Sequence, residues 1–145
     1  MHIEFIASVS IIAADVSANR DLFLDTLGLP LAPPPGDPQD EYVYTEQVGG
    51  ARHFGVWPLW QAAQSCFGTR EWPSERPVPQ ISVEFEVASE AAVDEAAAEL
   101  AARGYALLHA ARTEPWGQVV ARIQTQEGAI IGISFAPWVH GDGGT

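Results

Sequence analysis

A chain of 145 residues with 47% hydrophobic content is about one globular domain's worth and can bury a core of its own. Its 19 acidic residues face only seven basic ones, all arginine, and the resulting charge of −12 excludes nucleic acid, which needs a positive face to displace phosphate counterions. The single Cys66 excludes an internal disulfide and any cysteine-based zinc cluster, and no apolar run approaches a membrane span, so no membrane partner is expected and the default address is the cytoplasm.

In chain order the first element is a strand through FIASVSIIAA, residues 5–14. Glu4 precedes it where a secretory leader would carry basic residues, and Asp15 with a helical pattern follows directly. Asp15 or Ser17 supplies an N-cap, Leu22, Phe23, Leu24 and Leu27 give an apolar face, and Gly28 ends the helix. A short strand and a proline-stiffened acidic excursion at 32–41 lead into strands at 42–47 and 51–57. Residues 59–79 read as a connector, with a short helix near 59–66, then Gly68 and a loop punctuated by Pro73, Pro77 and Pro79. Connections of this length serve as lids or subunit contacts.

The pattern then restarts. SVEFEVAS at 82–89 matches SVSIIAAD at 8–15 with a constant offset of 74 residues. Ser89 caps a second helix faced by Val93, Ala96, Ala97 and Leu100, and Gly104 ends it. A short strand precedes strands at 117–125 and 129–136, and GAIIGISFAP at 128–137 parallels GARHFGVWP at 50–58. The prediction is an α+β fold in one domain, with two tandem βαβββ modules at about 1–58 and 80–138 and the connector 59–79 between them. The modules form a curved, half-open barrel with helices on one side, followed by a flexible tail at 139–145. Pockets tend to lie at such module interfaces.

This duplication, with Asp15 before the first helix, LGL at 27–29, EPWGQ at 114–118 and the QEG turn at 126–128, resembles the vicinal oxygen chelate superfamily. Within it the chain looks most like the glyoxalase/bleomycin resistance protein/dioxygenase grouping, and there most like the bleomycin-resistance-type binders. The resemblance implies a place for a metal: inward residues on the first and last strands of each module. It points to Ser8 on the first strand, seven residues before Asp15, to Ser82 by the repeat, and to Ser134 in the last strand. Serine hydroxyls are poor ligands for the ions concerned. The expected metal is therefore none. The alternative is one divalent ion on a non-standard site using His53 and Glu84, although Glu84 and Glu86 read better as an exposed strand face.

His2, His53, His109 and His140 are scattered without a nucleophile partner, Cys66 reads as a buried small residue, and no catalytic residue is assigned. Trp57, Trp60, Trp72, Trp116 and Trp138 are more telling, because four of the five fall at strand ends or in loops. The resemblance makes Trp116 the leading ligand contact, with Gly117 permitting a tight turn. Trp57, His53, Trp60 and Phe54 complete the expected ligand site. The functional expectation is a metal-free, homodimeric small-molecule binder that sequesters, and so gives resistance to, an aromatic, cationic natural product such as an antibiotic. The alternative is a metal-dependent glyoxalase- or dioxygenase-like enzyme, and a third reading is an interaction module without a small ligand.

Overall fold

The two matching runs become the two central strands of one sheet. In the computed structural model, which describes residues 1–140, the strands are β1 (Phe5–Ala13), β2 (Val43–Thr45), β3 (Phe54–Pro58), β4 (Ile81–Glu86), β5 (His109–Thr113), β6 (Val119–Gln124) and β7 (Ile130–Phe135). The helices are α1 (Val16–Arg20), α2 (Leu59–Phe67) and α3 (Glu90–Ala102). The sheet order is β2-β3-β1-β4-β7-β6-β5. β1 and β4 run antiparallel at its centre, and each takes the last strand of its own module, β3 or β7, as a parallel neighbour. Val9 stands opposite Val83, its own repeat mate, so the approximate two-fold axis relating the modules passes between them.

Module one is the less complete half. The short strand expected after Gly28 is reduced to a single bridge between Ala32 and Tyr44. Pro30, Pro33, Pro34 and Pro35 surround that bridge and have no N–H to continue a ladder. Asp15, not Ser17, caps α1, its Oδ1 accepting from the Ala18 N–H at 2.9 Å. From Asp21 to Thr26 the helix continues as a wider π-type turn. Phe23 and Leu24 pack on Ala13, Leu31, Val43 and Val56, while Leu22 and Leu27 stay exposed.

Module two has its full complement of strands. Ser89 accepts from the Ala92 N–H at 3.1 Å and starts α3, which buries Val93, Ala96 and Ala97 against Val87, Val119, Ala121 and Ile133. Burying a valine of that kind is worth about 1.5–3 kcal/mol. Gly28 and Gly104 end their helices at φ +67° and +94°, a conformation that strains any residue with a Cβ.

Alternation along β4 sends Val83, Phe85 and Val87 towards α3 and turns Ser82, Glu84 and Glu86 to the opposite face. That face is not solvent, so the exposed strand face expected for Glu84 and Glu86 is corrected: Glu84 lines a cavity and Glu86 is fully buried. Nor do all helices share one side. α2 lies on the concave face, where Ala62 and Cys66 pack with Ile12, Trp57 and Ile130. Of the expected tail, Val139 and His140 end a short 3-10 turn at Pro137–His140, and residues 141–145 lie outside the described residues.

Candidate functional site

With α1 and α3 on the convex side and α2 covering one end of the concave side, the rest of the concave face is left open as a cavity of about 640 Å³. Its floor is polar. Ser8 and Ser10 of β1 and Ser82 and Glu84 of β4 point into it. Glu84 Oε1 accepts from Gln118 Nε2 at 2.9 Å and from Ser8 Oγ at 3.3 Å, while Gln118 Nε2 also donates to Ser134 Oγ at 2.8 Å.

Among the described residues lining this cavity Arg122 carries the only positive charge, and it is almost wholly buried. Its Nη1 donates to Glu114 Oε1 at 2.6 Å and lies 3.1 Å from His109 Nε2, and its Nη2 stands 3.8 Å from Glu84 Oε2. Trp57 packs against the guanidinium, 5.5 Å from ring centre to Arg122 Cζ. One buried cation thus faces two carboxylates, an arrangement held by mutual pairing since any member alone would be costly to desolvate. Burial pushes the His109 imidazole below its ordinary value, and the Arg122 and Arg112 charges push the same way.

One wall is aromatic. Tyr44 and His53 stack with ring centres 4.7 Å apart and planes 8° from parallel, and Tyr42 lies parallel to both within 12°. The Tyr42 hydroxyl is hydrogen-bonded to His53 Nε2, and His53 Nδ1 is 3.6 Å from Glu46 Oε2. Burial raises the Tyr42 pKa well above its ordinary value, with Glu84 adding to the rise, so the phenol stays protonated. Burial likewise keeps His53 below its ordinary value and neutral near pH 7.

Of the residues expected to meet a ligand, Trp116, Trp57 and His53 line this cavity. Trp116 is half exposed at the mouth, its Nε1 donating to Gln118 Oε1 at 2.9 Å. Gly117 turns the same corner at φ +96° with open space where a Cβ would stand, so backbone conformation and not crowding selects glycine there. Phe54 and Trp60 lie elsewhere. On β3, Gly55 and Trp57 face the cavity, which puts Phe54 on the convex side against Phe23. Trp60 leaves α2 under the Arg70 guanidinium, 4.0 Å from ring centre to Cζ. Cys66 is packed against α2's neighbours, and burial pushes its thiol up to about 11, a poor nucleophile.

Sequence reasoning passed over Tyr42, Tyr44, Gln118 and Arg122. The signal was present in QVVARIQ, where Gln118, Arg122 and Gln124 alternate with Val119, Ala121 and Ile123. Only knowledge of which face is concave turns that alternation into a site.

No family model matches the sequence, and no curated protein does either. Solved structures match over almost the whole chain. A glyoxalase/bleomycin resistance protein/dioxygenase superfamily member from Vibrio splendidus superposes with a TM-score of 0.55 at 16% identity, covering 92% of this chain and 98% of its own. A methylmalonyl-CoA epimerase of Streptomyces coelicolor gives 0.58 at 13% identity over 97% of this chain and all of its own, 100%. This chain has the vicinal oxygen chelate fold. A Legionella pneumophila chain described as an NAD-dependent benzaldehyde dehydrogenase also superposes, with a TM-score of 0.53 at 12% identity over 88% of this chain and 96% of its own. At such identities the likeness is one of fold.

The vicinal oxygen chelate fold implies a metal, and the donor set can be tested against it. The strand register settles the position left open in module one. Ile12 and Glu86 are repeat mates, and their partners across the sheet are Trp57 and Ser134. Trp57, not His53, therefore stands where Ser134 stands in module two. The four matching positions are Ser8, Trp57, Ser82 and Ser134, which offer three hydroxyls and an indole to an ion that wants imidazole or carboxylate. Among the described residues no three His, Cys, Asp or Glu side chains converge as a metal site would require. The residues present do not fit the group.

Proposed function

We propose that the protein is a metal-free small-molecule binder whose cavity takes a planar aromatic compound carrying positive charge. The observation that carries this reading is the cavity itself: about 640 Å³, within the usual range for ligand sites, with Tyr44, His53, Trp57 and Trp116 as aromatic surfaces and the Glu84 and Glu46 carboxylates beside them. Aromatic faces and carboxylates are the two partners a flat cation uses. The acidic balance of the whole chain supports the same sign.

On this reading the protein sequesters an aromatic, cationic natural product, such as an antibiotic, in the cytoplasm as a homodimer. Trp116, half exposed at the mouth, is the surface that such a ligand would cover. A metal-dependent enzyme would need donors that Ser8, Trp57, Ser82 and Ser134 do not supply.

The test is titration of tryptophan emission with a cationic acridine, a bleomycin-type glycopeptide and a neutral polyaromatic compound, alongside metal analysis of protein purified without chelator. Saturable quenching that Trp116→Ala weakens is expected, with no stoichiometric metal. Failure of every compound to quench, or one equivalent of zinc, nickel, iron or manganese per chain, overturns the reading.

A further inference from the structure

The cavity floor holds more than a binding surface. Glu84 and Tyr42 face one another across β1. Tyr42 lies flat on Gly55, where a Cβ would come within 2.8 Å of its ring, and Gly55 is the sheet partner of Ser10. Glu84 is the sheet partner of Ser8 on the other side of the same strand. The backbones beneath the two groups, Gly55 on β3 and Glu84 on β4, are therefore about two strand spacings apart, roughly 10 Å, with Ser8 and Ser10 of β1 between them. A flat ring laid over Ser8 and Ser10 would have an acceptor of protons at one edge and a donor of hydrogen bonds at the other.

Both groups are held in position. Gln118 and Ser8 fix one oxygen of Glu84, and the other, Oε2, makes no hydrogen bond among the described residues but faces Arg122 Nη2 at 3.8 Å. Gly132 lies beneath it, where an added Cβ would meet Glu84 Cγ at 3.1 Å. His53, backed by Glu46, fixes the Tyr42 hydroxyl. A general base needs reach to a substrate proton, and a developing oxyanion needs a neutral donor within reach.

We propose that this pair gives the protein a metal-independent proton-transfer activity on planar carbon acids, compounds in which loss of a C–H proton delivers charge to an oxygen. Glu84 takes the proton, and the Tyr42 hydroxyl, which donates to His53 Nε2, turns its O–H to the oxygen that gains the charge. The inference rests on the cavity admitting a flat guest, as the binding reading also does, but it needs no charge on that guest.

The probe is 5-nitrobenzisoxazole with the full chain. Glu84 removes the ring C–H proton, and the C–H pair becomes the third bond of a nitrile as the N–O bond breaks. The N–O pair settles on a phenolate oxygen that accepts from Tyr42, and Glu84 passes its proton to water. Saturating release of the coloured phenolate is expected, faster than with acetate at matched carboxylate concentration and pH. Glu84→Gln should lower kcat roughly 100-fold or more with little change in KM. Glu84→Asp, with the carboxylate on a shorter stem, should fall between the two, and Tyr42→Phe should lose about tenfold or more. Circular dichroism and thermal midpoint confirm that each variant is folded. A wild-type rate no better than acetate, or a Glu84→Gln rate equal to wild type, overturns the proposal. The binding reading fails by a different sign, the absence of tryptophan quenching by any aromatic compound.

Discussion

Gly55 and Gly132 occupy matching places in the two modules, opposite Ser10 and Glu84, which are themselves repeat mates. Each glycine lets a functional side chain lie low on the sheet, Tyr42 in one case and Glu84 in the other. Gly55→Ala should therefore push the Tyr42 ring off the floor and cost about 1–3 kcal/mol by overpacking. Gly49→Ala, with nothing within 4 Å of the added atom, should cost much less. Urea unfolding of the two variants checks the contrast, and equal losses would count against the packing argument.

The buried imidazoles set a second expectation. His53 and His109 are both held below their ordinary value of 6.5, mainly by burial. The unfolded chain thus takes up protons that the folded chain refuses. Their contribution to stability is full above about pH 6.5 and is lost as the pH falls through the lowered folded-state values. Glu86 works the other way. Burial raises its carboxyl above 4.5, against hydrogen bonds from the Ala136 N–H, Ser134 and His140, so its contribution declines as pH rises from 4.5 through the raised value. Urea midpoints should drop between about pH 7.5 and about pH 5.5, and His53→Gln should reduce that drop. Comparing the variant with the wild type at each pH removes the Glu86 slope. A midpoint that does not move over this interval would refute the assignment.

At the scale of elements, the repeat was legible because it is written twice. SVSIIAAD and SVEFEVAS align without a gap, and each ends in a cap and is followed by an apolar helix face and a terminal glycine. What the residues could not reveal was the pairing between modules, which depends on the register of β1 against β4, a contact 74 residues apart along the chain. Without it, the inward face of VEFEV is ambiguous, because a carboxylate on alternate positions suits water as well as a cavity. The same gap hid Trp57 as the counterpart of Ser134, since the runs holding them differ by an insertion and only the sheet partners Ile12 and Glu86 bring them into line. The weak strand of module one was misread for a local reason: its flanking prolines leave one bridge where a ladder was expected. Arg122 was missed because a charge inside a strand usually marks the solvent side, and only the burial of Glu114 and the nearness of Glu84 make it tolerable within.

For the molecule as a whole, charge and cavity must act together if the ligand is a cation. The chain carries −12 in total, and part of that charge, at Glu84 and Glu46, lies in the cavity beside Arg122 behind a mouth partly framed by Trp116 and Trp138. The long-range field draws a cation to the mouth and is screened by salt, its reach shrinking from about 30 Å at 0.01 M to about 10 Å at 0.1 M and about 3 Å at 1 M ionic strength. Contacts inside the cavity are screened far less. A cationic acridine should therefore bind more slowly and more weakly as salt is raised from about 0.01 M to about 0.5 M, with most of the change in the association rate. A neutral aromatic of the same shape should hold its association rate, because nothing steers it, and its affinity should hold or rise slightly as salt favours burial. Stopped-flow tryptophan quenching at several salt concentrations separates the two. Parallel salt dependence for cation and neutral analogue would mean that the acidic surface plays no part in ligand capture, and would leave the aromatic wall as the whole of the recognition.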